Sequence, residues 1–260
     1  MLFAIIGSGN VATHFSLALA KNGHQVLQVW SRSFDNAQTL AQKVGATAIT
    51  SLSQIHSSVE VIIIAVNDEA VSIVLYDLNT CFPQNERIIL HTSGTLNIDI
   101  LSATSTNYGV LYPIQTLSKN VAIDFLKVPI AVEGNNQKVE DTLLRIAKSI
   151  SNSVYKINSN QRKTLHIAAV FACNFTNYFY AIADDLLQQN KLSFDMLKPL
   201  ITETANKVLE NPPQQVQTGP AKRNDVSTMV AHLSALSQHS NYQLLYKVIS
   251  EAIVEKYNKD

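Results

Sequence analysis

Leu2-Phe3-Ala4-Ile5-Ile6-Gly7-Ser8-Gly9-Asn10-Val11-Ala12 opens the chain: an apolar run, a glycine-serine-glycine turn, then a helical pattern reaching Lys21. In that pattern Phe15, Ala18 and Leu19 recur at helical spacing. The first glycine permits a tight turn, and the second lets backbone approach a diphosphate. The small Ala12 lets helix and strand pack closely, and the helix start offers N–H donors at the positive end of its dipole. A motif of this form also marks plain glycine turns. Here it follows an N-terminal strand and opens a helix, which predicts a dinucleotide held by Gly7, Ser8, Gly9, Asn10 and Val11.

Working outward, Gly23 closes the helix and Gln25–Trp30 reads as a second strand. A helix over Asn36–Val44 turns Ala37, Leu40, Ala41 and Val44 inward and ends at Gly45. Val59–Val66 and Arg87–Leu90 read as buried strands, followed by strands at Tyr108–Leu111, Val128–Val132 and Val154–Ile157, with a helix over Gln137–Ile150. Continuous apolar strands between helices predict an α/β, Rossmann-like, mostly parallel sheet covered on both faces. From about Ser159 the β-branched runs give way to helices at Arg162–Gln188, Phe194–Leu209, Val226–Leu236 and Tyr242–Tyr257. The expected division is a dinucleotide-binding domain over 1–155 and an all-helical C-terminal domain over 156–260, for substrate or dimerisation. Ala168-Ala169-Val170-Phe171-Ala172 is apolar on every side and must be enclosed, within the small domain or between the copies of a homodimer; the homodimer is the expectation.

The 260 residues are 46% hydrophobic and 15% charged, with 20 basic and 20 acidic side chains. A core can form, and the balanced charge argues against nucleic acid or an anionic membrane as partner. Cys81 and Cys173 have neither metal-ligand nor disulfide-framework spacing, and no metal is expected. No apolar run nears the roughly 20 residues that span a bilayer, and the N-terminus lacks the basic flank of a signal peptide; a cytoplasmic protein is the expectation.

Ser31-Arg32-Ser33 ends the second strand, where NAD enzymes place an acidic residue on the ribose hydroxyls. A guanidinium with two hydroxyls suits a 2′-phosphate, so NADP is expected over NAD; the alternative leaves Arg32 as a solvated charge. Val66 and Asn67 end a later strand where the loop passes adenosine or diphosphate, and Asp68 is read as the cap of the next helix. His91-Thr92-Ser93-Gly94 sits at another strand end, making His91 and Ser93 cofactor-side candidates. His91 either touches nicotinamide or substrate, or is a hydrogen-bonded turn residue.

With these motifs assembled, nearly the whole chain resembles an oxidoreductase family that joins a Rossmann-like NADP domain to a helical domain of unassigned function. The resemblance rests on the glycine turn, on His91-Thr92-Ser93-Gly94 and on Tyr112-Pro113-Ile114-Gln115-Thr116. It rests more specifically on His166 to Phe175 and on Thr218 to Asp225. More broadly the chain is similar to pyrroline-5-carboxylate reductase, ketopantoate reductase and the deazaflavin-dependent NADP oxidoreductases. The resemblance implies a reductase scaffold rather than a named reaction.

Nicotinamide carries hydride, so the protein must hold the acceptor and manage one proton. His166 and Asn174 lie about two helical turns apart, on nearly one face. His166 is expected as proton donor and Asn174 as the donor that polarises the carbonyl. His166 could instead be a satisfied helix-start residue, and Asn174 could meet a backbone group. Arg223 is expected to grip a substrate carboxylate or to close an ion pair. Asp225 either caps the helix from Val226 or orients Arg223. The expected activity is hydride transfer between NADP(H) and a small carbonyl or imine acid in the cleft between domains. The alternative is a non-catalytic NADP-binding sensor or interaction protein, and a third reading is exchange with a deazaflavin.

Overall fold

The structure is a computed structural model describing residues 1–83 and 85–258. Its strands are β1 (Leu2–Ile6), β2 (Gln25–Trp30), β3 (Thr47–Ile49), β4 (Val61–Ile64), β5 (Ile88–His91), β6 (Tyr108–Pro113), β7 (Ile130–Gly134) and β8 (Val154–Lys156). They form one eight-stranded sheet in the order β3-β2-β1-β4-β5-β6-β7-β8. Each neighbouring pair is parallel except β6 with β7.

Alternation along the strands fills both faces. Phe3, Ile5, Val61 and Ile63 pack on one side with Phe15, Leu19 and Leu143, and Ala4, Ile6, Ile62 and Ile64 pack on the other with Val71, Val74 and Leu78. A strand buried on both faces needs no polar alternation, which is why β1 and β4 read as unbroken apolar runs. The covering helices are α1 (Asn10–Lys21), α2 (Phe34–Val44), α3 (Asp68–Cys81) and α4 (Gln137–Ile150).

Two features depart from the expectation of plain βα alternation. β3 is three residues long, too short for any period to register. The chain leaves β6 without a covering helix, makes only a 3₁₀ turn at Phe125–Lys127, and returns antiparallel as β7. Ile114 N–H donates to the Pro129 carbonyl (2.8 Å), extending that hairpin-like ladder by one rung.

After β8 every described element is helical. α5 (Ser159–Ala169) runs through a π-helical stretch, Val170–Phe175, into α6 (Thr176–Gln189). α7 (Lys198–Glu210), α8 (Val226–Ala235) and α9 (Ser240–Tyr257) follow. The compact units divide at Asn174/Phe175 rather than at 155/156, because the start of α5 is pinned to strands and loops of the sheet. Within the second unit Ala221 is the one buried hydrophobic residue among those described. The apolar centre of the long helix is not buried in the chain: Phe171 is 65% exposed. Among the described residues this helical run, Ser159–Gln189, is the one long and apolar enough to cross a membrane by length and composition.

Candidate functional site

The carboxyl ends of β1, β2 and β4 open onto a cleft of about 580 Å³. Gly7, Ser8, Gly9, Ser31, Arg32, Ser33, Val66 and Asn67 all line it, together with Trp30 and Asn36. The two glycines stand there for different reasons. Gly7 has φ +124°, and a Cβ on it would lie 2.3 Å from the Ala65 carbonyl oxygen, so the fold itself demands glycine. Gly9 has an ordinary φ of −74°, and a Cβ there would meet no protein atom within 4 Å. The space beside Gly9 is left open to a ligand. No side chain caps α1 and its first turn holds no acidic residue, so the N–H groups of that turn face the opening without an internal anion. Diphosphate geometry fits this cradle.

At the ribose end, Ser8 Oγ donates to Ser31 Oγ (2.9 Å), Arg32 is exposed, and Ser33 caps α2 by accepting the Asn36 N–H. Asn10 and Val11 are not among the lining residues. Asn10 Oδ1 accepts the Lys119 N–H (3.1 Å), tying the loop after β6 to the start of α1, and Val11 packs against the core. Asp68 proves not to be a cap. Asn67 holds that position, and the Asp68 carboxylate accepts from Ser93 Oγ (3.0 Å) and from the Thr95 hydroxyl. Ser93 therefore braces a loop, and it lies outside the cleft lining.

His91 makes a hydrogen bond within its own turn. Its ring is fully buried, with Nδ1 accepting the Ser93 N–H (3.2 Å). Burial, and then the nearby Arg162 guanidinium, push its pKa down to about 4 from the ordinary 6.5. It is neutral at pH 7 and binds its proton later than the unfolded chain does. The stability this confers is complete above about pH 6.5 and is lost as pH falls from 6.5 toward 4, amounting to about 3 kcal/mol. Urea melts at pH 7 and pH 4.5 should differ by most of that amount, and His91→Gln should flatten the difference.

A second polar cluster lies at the same edge of the sheet. His91 on β5 pairs with Val110 on β6, and Tyr112 lies further along β6 toward its carboxyl end. Tyr112 Oη is 3.0 Å from His166 Nδ1, with the rings edge to face. Gly94 underlies the imidazole: a Cβ at 94 would sit 2.7 Å from His166 Nδ1. The glycine of the His91–Gly94 motif thus makes room for the histidine of the next motif.

α5 is anchored by groups the sequence reading passed over. Arg162, with only 1% of its side chain exposed, pairs with Glu133 at the end of β7 and donates to Ser159 Oγ (3.1 Å) and to the Leu96 carbonyl. Glu133 also accepts the Ser159 N–H (2.9 Å), and Asn158 with Gln161 forms a reciprocal capping box at the helix start. In sequence Arg162 is one more polar residue at a helix start, and nothing local marks its partner across 29 residues.

Asn174 lies on the π-helical stretch and is exposed in the chain. The stretch has a consequence for spacing. Two α-helical turns take about 7 residues and wider π turns take more, so the stretch changes the register between His166 and Asn174. In the second unit Arg223 is exposed on a 3₁₀ turn, and Asp225 caps α8, accepting from the Thr228 N–H (3.1 Å), the Thr228 hydroxyl (2.7 Å) and the Ser227 hydroxyl (2.9 Å). Those bonds hold its carboxyl below the usual range and leave it committed to the helix start. His14 on α1 is buried, with Nε2 2.9 Å from the Ser118 carbonyl oxygen.

A parallel sheet with a glycine-lined cleft over its central carboxyl edge defines a Rossmann-type dinucleotide-binding protein. Residues 2–92 match the family described as NADP oxidoreductase, coenzyme F420-dependent, and residues 128–253 match a domain of unknown function, DUF2520. A crystal structure from Bacteroides fragilis, named as a "putative NADP oxidoreductase", is 39% identical with a TM-score of 0.91, over 98% of each chain. A Thermotoga maritima protein is 22% identical with a TM-score of 0.80, over 99% of this chain and 100% of that one. An Aspergillus terreus reductive aminase, in complex with NADPH and ethyl-5-oxohexanoate, is 15% identical with a TM-score of 0.75, over 98% and 93%. No curated protein matches the chain in sequence. The chain belongs to the NADP oxidoreductase family that the Bacteroides fragilis protein represents.

Proposed function

We propose that the protein is an NADP(H)-dependent reductase of a small carbonyl or imine acid. The observation that supports this reading is that one carboxyl edge of the sheet bears both the diphosphate cradle at Gly7–Gly9 and, on β6, the Tyr112 hydroxyl paired with His166. A sensor would need the first and has no use for the second. The amides around Gly9 and the start of α1 would hold the diphosphate, and Ser31 and Arg32 the 2′-phosphate, with NAD disfavoured for want of an acid at that strand end. Bound there, the nicotinamide supplies the hydride.

The chain's own task is then to orient the acceptor and provide one proton. His166 is the source of that proton, and Asn174 offers an amide N–H to the polarised oxygen or nitrogen. A reductive aminase that holds NADPH with a carbonyl compound on this fold supports the reaction class.

The same reading includes a homodimer formed through the helical unit. Leu209, Met196, Leu200 and Leu244 are 82%, 65%, 62% and 60% exposed while the unit buries almost nothing of its own, and such surface calls for a partner copy. Two free thiols, Cys81 and Cys173, suit a reducing cytoplasm. The test is oxidation of NADPH against a panel of keto acids, imines and aldehydes. Tight NADPH binding with no turnover of any member would favour the sensor.

A further inference from the structure

We propose that the phenol of Tyr112 is the group that hands the proton to the substrate, with His166 behind it to restore the phenol. The inference rests on the reductase reading above and goes beyond it in naming the donating atom.

Tyr112 is carried near the end of a sheet strand, the most rigid kind of mount in the fold, at the edge that bears the cofactor cleft. Its side chain is partly exposed, so its oxygen is not sealed in the core. His166 Nδ1 is already engaged by that oxygen at 3.0 Å and lies close over the Gly94 backbone, placed to exchange a proton with Tyr112. Burial raises the phenol above its ordinary pKa, so it stands protonated at neutral pH. The Arg162 guanidinium acts in the opposite sense on the same group and favours the phenolate left behind when the proton departs. Acid form before the step and stabilised base after it are what a general acid needs.

The substrate carbon receives the hydride electron pair from NADPH, its π-bond to oxygen or nitrogen breaks, and that atom forms a bond to the Tyr112 proton as the phenol O–H breaks. The phenolate then takes the proton from His166 Nδ1 as solvent delivers one to Nε2, so the ring passes between neutral tautomers and no imidazolate forms. The net reaction consumes one NADPH and one proton.

The test compares wild type, Tyr112→Phe and His166→Gln with NADPH and the probes pyruvate, glyoxylate, propanal and 2-methyl-1-pyrroline. Tyr112→Phe keeps the ring against His166, so its melting temperature should stay within about 2–4 °C of wild type and its NADPH affinity within about twofold. Its kcat should fall by about 100-fold or more, with KM little changed, the usual scale for loss of a general acid. His166→Gln should lose less, about tenfold, because water can restore the phenol. A larger loss in His166→Gln than in Tyr112→Phe would make the imidazole the direct donor and overturn the proposal, as would full activity in Tyr112→Phe. A substrate-free readout is the ultraviolet difference titration of wild type against Tyr112→Phe, which isolates this phenol. Ionisation below the range of an ordinary tyrosine would remove the acid form and refute the assignment. If wild type reduces none of the probes while binding NADPH, the reductase reading itself fails and this one falls with it.

Discussion

Gly7→Ala should abolish nucleotide binding and damage the fold, whereas Gly9→Ala should abolish binding alone. At Gly7 the added methyl would lie 2.3 Å from the Ala65 oxygen and 2.8 Å from its carbonyl carbon, both backbone atoms that no rotamer change can move. The φ of +124° adds strain of about 1–3 kcal/mol for any L side chain. β1 and β4 would have to part at the point where β1 turns into α1, so the melting temperature should drop by several degrees and NADPH affinity by more than about 100-fold, equivalent to some 2.7 kcal/mol. At Gly9 the backbone is one any residue adopts and the methyl meets no protein atom. Stability there should stay within about 0.5 kcal/mol of wild type while affinity falls comparably. Calorimetric titration with NADPH and thermal melts read both variants. An unimpaired Gly9→Ala would show that the diphosphate does not lie against that residue.

Arg162→Met should be the most destabilising single change outside the glycine turn, at about 3–5 kcal/mol. The guanidinium is 1% exposed and the Glu133 carboxylate 15% exposed, so removing the cation strands a largely buried anion. Its bonds to Ser159 and Leu96 fasten the start of α5 to the sheet, and His166 lies one turn further along. The variant should therefore lose turnover as well as stability. Arg162→Met combined with Glu133→Gln should recover part of the stability, because the stranded charge is gone, without restoring the position of His166. Urea melts of the four proteins in the cycle give the coupling directly. A sum of independent effects would refute the buried pair as the anchor.

Much of the first unit could be read locally. β2 and α4 fall at the residues their patterns predict, Gln25–Trp30 and Gln137–Ile150, because each is bounded by its own stop signals and shows a clear period. The glycine turn was legible because its constraints are short-range: the strand, turn and helix adjoin in sequence. The reversal at β7 was not legible, since the direction of a strand depends on where the preceding loop returns and not on its own residues. The π-helical stretch was missed because its register change carries no local composition signal.

The site was legible in parts. Residues whose place depends on a neighbouring backbone could be named: Ser31, Arg32 and Ser33 fall at the strand end that lines the cleft, and Asp225 caps a helix. Asp68 was misplaced by one residue, since Asn67 and Asp68 are equally good cap types and only the geometry distinguishes them. The sequence leaves His91 between two roles; its burial and its bond from the Ser93 N–H belong to the tertiary structure.

The sequence by itself determined the α/β class, the diphosphate turn and the preference for a phosphate at the ribose, because each follows from periodicity or from residues adjacent in the chain. Only the tertiary structure decided that Tyr112 meets His166, that Gly94 makes room for the imidazole, and that Arg162 answers Glu133. Those contacts join residues on different strands, loops and helices, and a pairing set by how the sheet and its loops close in space leaves no mark on either residue alone.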